Sequence, residues 1–340
     1  MLRRRVVVRS LFAMFCAAAA TCASAQISQV VFFGDSLTDS GNLALAIGSD
    51  ATQVITGNGY IPSQPYASGQ FTNGDVWAKT FAAALGLPLS GQPSLLGGND
   101  YAFGGARVAT DGAGLPPSVL AQQNLFLSSH GNVAPSSALY VLAGGGNDAR
   151  DALAAAASSM NPFAVILGAA QAYAQSIGTL VDQLQASGAQ QIVVWDIPDI
   201  GLAPAVADAG GGASFLGTAV SRAMNRALER QLDGEPGVSI FDVFGLQNEI
   251  VADPAAFGLV NVTDACGAPS EQCDPATALY WDGIHPTAAG HALLAQGMLV
   301  VAVPEPSEIV LMLSGLVFVA TWQRRARHGR AAGARRSGER

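Results

Sequence analysis

Val30-Val31-Phe32-Phe33-Gly34-Asp35-Ser36-Leu37-Thr38-Asp39-Ser40-Gly41-Asn42 is an apolar run that stops abruptly at small, polar and turn-forming residues. Four apolar residues rich in Val and Phe, closed by a glycine, read as a buried strand delivering Ser36 into a loop. An exposed serine nucleophile needs this arrangement. Gly34 lets the backbone turn sharply, and a helix following the serine would aim its N–H groups at the reaction centre. Gly, Asp and Ser are also ordinary turn residues, so the rest of the chain must supply a base, an orienting group and an oxyanion hole.

Outward from this stretch, apolar strands alternate with helical patterns. Strands are expected at 29–33, 138–143, 191–196 and 238–241, with a short one near 100–103. Helices are expected at 76–85, 162–186, 213–232 and 287–300, the first three stopping near Gly86, Gly188 and Gly234. This alternation points to an α/β fold with a central parallel sheet covered on both faces, and to functional loops at the carboxyl ends of the strands.

Two further stretches carry chemistry. In Val141-Leu142-Ala143-Gly144-Gly145-Gly146-Asn147-Asp148 an apolar strand breaks into glycines and then Asn-Asp. A phosphate-cradling loop is the rival reading, but it wants Gly-Lys-Ser/Thr, and Lys79 is the one lysine between the two ends of the chain. A carboxamide at a strand end can instead donate N–H to a developing oxyanion. In Tyr280-Trp281-Asp282-Gly283-Ile284-His285-Pro286-Thr287, a histidine lies three residues after a carboxylate and just before a proline, which suits a base held by Asp282 on a rigid turn. A single Asp/His pair is an incomplete metal-ligand set. Of the other histidines, His291 reads as a packing or surface residue of a helix, His130 as part of a polar loop, and His328 as part of the basic C-terminal tail.

The two ends differ from the middle. Arg3, Arg4, Arg5 and Arg9 precede an apolar run that ends at Ala23-Ser24-Ala25, the pattern of a secretory signal peptide over 1–25 cut before Gln26, with Cys16 and Cys22 lost in it. The run is too short to span a bilayer permanently. Cys266 and Cys273 then remain in an oxidising compartment and are expected to form a disulfide. The competing zinc-pair reading lacks a second Cys or His pair at ligand spacing. At the other end, Val303-Pro304-Glu305-Pro306-Ser307 precedes an apolar run over 309–322 and then Arg324, Arg325, Arg327, Arg330, Arg335 and Arg336, a membrane stop with its arginines on the cytoplasmic side. A buried C-terminal helix is the alternative. Residues 26–302 read as one domain with six Lys+Arg against 22 Asp+Glu, a net charge of −16 that argues against nucleic-acid binding.

In their order along the chain, Gly-Asp-Ser-Leu, Gly-Gly-Asn-Asp and Asp-Gly-Ile-His-Pro-Thr resemble the blocks of the SGNH/GDSL hydrolase family. The resemblance extends over 29–302. Asn99-Asp100-Tyr101-Ala102-Phe103-Gly104-Gly105-Ala106 is similar to the family's second glycine block. Gly69-Gln70-Phe71-Thr72-Asn73-Gly74-Asp75-Val76-Trp77 resembles a segment of the lecithinase/haemolysin and plant-lipase branch, with Gln70 in place of the usual arginine and Thr72 in place of serine. The end of the chain resembles the PEP-CTERM sorting signal of exopolysaccharide-producing Gram-negative bacteria, over roughly 303–340.

The resemblance implies a three-layer flavodoxin-like fold. It makes Ser36 the nucleophile, His285 the general base and Asp282 its orienting group. The oxyanion hole would be the N–H of Ser36, the N–H of Gly104 or Gly105, and the Asn147 side chain. No metal or organic cofactor is required, and the absence of Gly-x-Ser-x-Gly disfavours the larger α/β-hydrolase fold. Asp35 and Asp39 are expected to stabilise loops. The segment 43–68, with Tyr60, Ile61 and Tyr66, is expected to cover the site through apolar contacts, a solvated surface loop being the other reading. The implied substrate is an ester: a lipid, a short-chain ester or an acetylated glycan. A polysaccharide deacetylase and a non-catalytic matrix protein on the same scaffold are the alternatives. Signal peptidase and an exosortase would process the ends, placing the protein across the inner membrane in the envelope or matrix, with a transient membrane anchor.

Overall fold

Val30, Phe32, Leu139, Val141, Val193 and Trp195 fill one core, while Val31, Phe33, Tyr140, Leu142, Ile192 and Val194 fill another. The strict alternation means that the strands carrying these residues are buried on both faces, as a parallel sheet requires. In this computed structural model, which describes residues 27–60, 64–112 and 114–302, those strands are β1 (Gln29–Gly34), β2 (Ala138–Ala143), β3 (Gln191–Trp195) and β4 (Val238–Phe241). They pair in the order β1-β2-β3-β4, all parallel, with Gln29 opposite Ala138 and Gly34 opposite Ala143. The signal peptide with Cys16 and Cys22, Ile61, and the sorting segment over 303–340 lie outside the described residues.

The short strand expected near 100–103 is not a regular strand. Its place beside β1 is held by three backbone hydrogen bonds: Phe32 N–H to Asn99 O (3.0 Å), Tyr101 N–H to Phe32 O (2.9 Å) and Phe103 N–H to Gly34 O (3.3 Å). The Asp100 side chain turns inward to accept N–H from Ser40 (2.8 Å) and Ala102 (2.9 Å), and the strand geometry ends there.

A short helix α1 (Asn42–Ile47) follows the turn after β1; the first core is covered by α2 (Trp77–Ala84), with Trp77 and Phe81 against Phe32, and by α8 (Ala288–Ala302), with Leu294 and Met298. The opposite face is covered by α3 (Val119–Ser129), α4 (Gly146–Ala157), α5 (Pro162–Ala186) and α6 (Gly211–Gln231), contributing Phe126, Ala152, Ile177, Leu180, Val220 and Met224. The result is a three-layer α/β sandwich.

The long helix α5 has the bounds expected from sequence because both of its ends are encoded locally. Asn161 Oδ1 caps the N–H of Ala164 (3.3 Å), Pro162 occupies the first turn, and Gly188 follows the last. Among the described residues it is the one helix long and apolar enough to cross a membrane, and its Ile166, Ile177, Leu180 and Leu184 face packs into the core. Helices α3, α4 and α7 (Val243–Ala252) have no counterpart among the helices expected above.

After α7 the chain forms a two-stranded parallel sheet of β5 (Asn261–Ala265) and β6 (Ala278–Tyr280). Between them Cys266 and Cys273 are joined, with Cα atoms 5.5 Å apart, in keeping with the expected pair. Cys266 N–H and Gly267 N–H donate to Tyr280 O (3.0 Å) and Trp281 O (2.8 Å), which anchors the segment entering Asp282.

Candidate active site

The chain leaves β1 in a tight turn. Thr38 and Asp39 donate N–H to Asp35 O (3.0 and 2.9 Å), and Leu37 N–H reaches Asp35 Oδ1 (3.0 Å). This turn stands where a helix directly after Ser36 is expected from sequence. The six-residue helix α1 begins only at Asn42, because Asp39 collects the N–H groups of Gly41 (2.9 Å), Asn42 (2.6 Å) and Leu43 (3.2 Å) and so ends the turn before the helix starts. Asp35 and Asp39 are the loop-stabilising carboxylates expected. Burial pushes both carboxyl groups up to about 6, against the opposing pull of their backbone donors.

Asp282 and His285 sit on the loop between β6 and α8. Asp282 Oδ1 accepts N–H from Ile284 (2.8 Å) and His285 (2.7 Å), which fixes the carboxylate, and its Oδ2 lies 2.6 Å from His285 Nδ1. His285 Nε2 lies 2.8 Å from Ser36 Oγ, across 249 residues of sequence. The loop is closed by Trp281 N–H to His285 O (2.8 Å) and Thr287 N–H to Leu279 O (2.9 Å). Ser36, Asp282 and His285 are all buried. The Phe71 ring packs on the imidazole with centroids 5.1 Å apart.

Gly104 and Gly105 come to the same place. Gly104 N–H donates to Asp39 Oδ2 (2.8 Å) and is therefore spent within the loop. Gly105 N–H and Ser36 N–H donate to no described residue. Both glycines are needed as such. A Cβ on Gly104 would fall 2.1 Å from Phe71 Cε2, and Gly105 adopts φ of 82°. Asn147, in the first turn of α4, donates from Nδ2 to Ala106 O (2.9 Å), while its Oδ1 accepts from Arg150 (3.2 Å). That pairing fixes which way round the carboxamide lies and leaves the second Nδ2 hydrogen for a ligand.

Beside these groups opens an apolar cleft. Ile200, Ala203, Val206, Ile250, Leu279 and Leu294 line it, with Ser36, Asn147 and His285 in the same wall.

The remaining residues singled out from sequence have structural places. His291 is buried in α8, where its Nδ1 accepts from Trp77 N–H (3.2 Å), and burial pushes its imidazole down to about 3. His130 ends α3 and bonds Phe126 O (2.8 Å), apart from the site. The Gly69–Trp77 block acts as a strut. Gln70 Oε1 caps Val76 N–H (2.9 Å), Asn73 Oδ1 takes Ala288 N–H at the start of α8 (2.8 Å), and Trp77 Nε1–H reaches Thr38 Oγ1 (3.2 Å).

Two side chains at the site make polar contacts that the sequence reading does not foresee. Tyr66, expected to make apolar contacts, also donates its hydroxyl to Asp282 Oδ2 (2.7 Å). Arg150, one of six cations in 26–302, bonds both the Tyr60 hydroxyl and Asn147, and stacks 4.4 Å above the Tyr60 ring. A lone arginine three residues after Asn147, on the same helical face, is the signal that could have pointed to the latter.

A family model described as GDSL-like Lipase/Acylhydrolase matches residues 30–298. The chain belongs to this family. Esterase EstA of Pseudomonas aeruginosa is 30% identical over 318 residues, an alignment that spans 79% of this chain and 46% of that protein. Thermolabile hemolysin of Vibrio parahaemolyticus is 26% identical over 300 residues, spanning 81% of this chain and 63% of that protein. The chain thus spans about half the length of the first curated relatives it matches. A crystal structure of phospholipase A1 from Streptomyces albidoflavus NA297 aligns over 79% of this chain and 98% of that one, with 16% identity and a TM-score of 0.40. The Gly-Asp-Ser-Leu after which the family is described is, in this member, the turn between β1 and α1.

Proposed function

We propose that this GDSL family member hydrolyses carboxylic esters through an acyl-enzyme on Ser36. The observation that carries the reading is the unbroken chain from Ser36 Oγ to His285 Nε2 (2.8 Å) and from His285 Nδ1 to Asp282 Oδ2 (2.6 Å). His285 removes the Ser36 proton as Oγ attacks the ester carbonyl, then returns it to the leaving alkoxide. In the second half-reaction it activates water in the same way. Asp282 holds the imidazole with Nδ1 protonated, so that Nε2 is free to act as base.

The tetrahedral oxyanion is received by the N–H of Ser36, the N–H of Gly105 and the Asn147 Nδ2–H. Gly105 takes this role rather than Gly104, whose N–H is bonded to Asp39. The apolar cleft beside Ser36 suits an alkyl chain and favours a lipid or medium-chain ester over an acetylated glycan. Export by residues 1–25 and sorting by 303–340 belong to the same proposal and rest on the sequence patterns alone. N-terminal sequencing of the secreted protein, expected to begin at Gln26, tests the first of them.

The test of the activity is hydrolysis of p-nitrophenyl acetate, butyrate, octanoate and palmitate by the purified full chain, beside Ser36→Ala and an EDTA-treated sample. Turnover on octanoate exceeding that on acetate, abolished in Ser36→Ala and surviving EDTA, supports the reading. Full turnover in Ser36→Ala refutes the triad. Acetate release from acetylated polysaccharide, without hydrolysis of octanoate, would favour the deacetylase.

A further inference from the structure

Tyr66 stands 216 residues before Asp282 in sequence, yet its hydroxyl donates to Asp282 Oδ2 (2.7 Å), the same oxygen that faces His285 Nδ1 (2.6 Å). The bond is built rather than casual. Tyr66 is buried, its ring meets the edge of Trp281, and Ile55, Ala265 and Ala268 pack around the pair. Earlier in the chain, Gly59 O accepts Gly283 N–H of the catalytic loop (2.7 Å) and Asn58 Oδ1 accepts Ala265 N–H at the end of β5 (2.8 Å).

We propose that Tyr66 is a positioning residue of the ester hydrolase described above, fixing the Asp282 carboxylate while sharing the negative charge that His285 would otherwise receive alone. The inference rests on the Ser36-His285-Asp282 reading.

Its physical content is a trade. Each hydrogen bond to a carboxylate oxygen stabilises the anion and withdraws part of its charge from other partners. With Oδ1 saturated by two backbone N–H groups, the phenol is, among the described residues, the one side-chain donor that competes with His285 for Oδ2. Asp282 is thereby aimed, and its hold on an imidazolium is weakened. The other ionisable groups around the imidazole are Asp35 beside Ser36, Arg150, Asp199 and Tyr280 along the cleft, and His291 on α8.

The experiment is the pH dependence of kcat/KM on p-nitrophenyl butyrate for the full chain and for Tyr66→Phe, which keeps the ring against Trp281 and removes only the donor. The acid limb should move to higher pH by about half a unit or more, since a full unit corresponds to about 1.36 kcal/mol between protonation states. The plateau of kcat should fall by about 3–10-fold, within the reach of one charge-assisted bond, with KM unchanged. A limb that stays within 0.2 unit of the wild-type curve, on a folded protein of lowered melting temperature, makes Tyr66 a structural residue only and overturns the inference. Proton NMR gives a second readout. The resonance of the His285 Nδ1–H, assigned by its loss in His285→Ala, should shift in Tyr66→Phe, and an unmoved resonance overturns the proposal. Ser36→Ala run alongside separates the two levels. Activity lost there with an unmoved limb in Tyr66→Phe refutes this inference alone, whereas wild-type turnover in Ser36→Ala refutes the triad and this inference with it.

Discussion

Replacing Asn147 by Ala separates the catalytic use of its side chain from the structural one. One Nδ2 hydrogen is committed to Ala106 O (2.9 Å), Oδ1 is committed to Arg150 (3.2 Å), and the second Nδ2 hydrogen is the part assigned to the oxyanion. Losing one such donor removes about 2.7–4 kcal/mol of transition-state stabilisation, or about 10²–10³ in kcat. KM should hardly change, because the ground-state carbonyl carries little of the charge that the donor meets. The structural loss is separate: Ala106 O is left unpaired at a buried site, costing about 1–3 kcal/mol and a few degrees of melting temperature. The assay is p-nitrophenyl butyrate hydrolysis at 25 °C, well below the transition, with the fraction of reactive Ser36 counted by a phosphonate that leaves a chromogenic group. That count normalises kcat to folded enzyme. A normalised kcat within about threefold of wild type would refute the placement of Asn147 in the oxyanion hole, whatever happened to the melting temperature.

Two other changes test the packing and the buried charges. Gly104→Ala puts a Cβ 2.1 Å from Phe71 Cε2, so the ring must leave His285; we expect a loss of about 1–3 kcal/mol in stability and at least tenfold in kcat. Adding Phe71→Ala to Gly104→Ala should cost less stability than the two single changes summed, and strict additivity in thermal melts would show that the contact is not the cause. Burial raises the carboxyl groups of Asp35, Asp39 and Asp148 to about 6 and that of Asp196 to about 8, all from 3.8, so the folded chain binds these protons more tightly than the unfolded one. Their contribution to stability is complete below about pH 4 and is lost as pH rises through 6 to 8, so the melting temperature should be higher at pH 5 than at pH 8.5; a melting temperature that climbs over that range would contradict it.

Legibility from sequence followed how locally each feature is determined. β2 and β4 have the expected bounds because an unbroken apolar run of that length, bracketed by turn residues, has few other uses, and α5 has them because Asn161, Pro162 and Gly188 mark its ends. Helix α4 escaped because Gly144-Gly145-Gly146 reads as a break and the residues after it are mostly alanine, too small to write an apolar stripe. The segment near Asp100 pairs with β1 as a strand would, but the inward turn of its carboxylate depends on Ser40, 60 residues away, and no local pattern encodes it. Ser36, Asp282 and His285 each sit in a short block of restricted chemistry, and the structure brings the three within hydrogen-bond reach. The Asp39 contact that occupies Gly104 N–H, and the Tyr66 bond to Asp282, leave no trace in either local pattern.

The strut of Gly69–Trp77 joins the turn that carries Ser36 to the start of α8, through Trp77 to Thr38 and Asn73 to Ala288. The serine is thus among the first residues of the domain to be made and its base among the last, and they meet only when α8 has docked. A chain still short of His285 carries a serine without its base. On the proposed triad, hydrolytic competence is therefore a property of the finished fold and arrives only once α8 is in place.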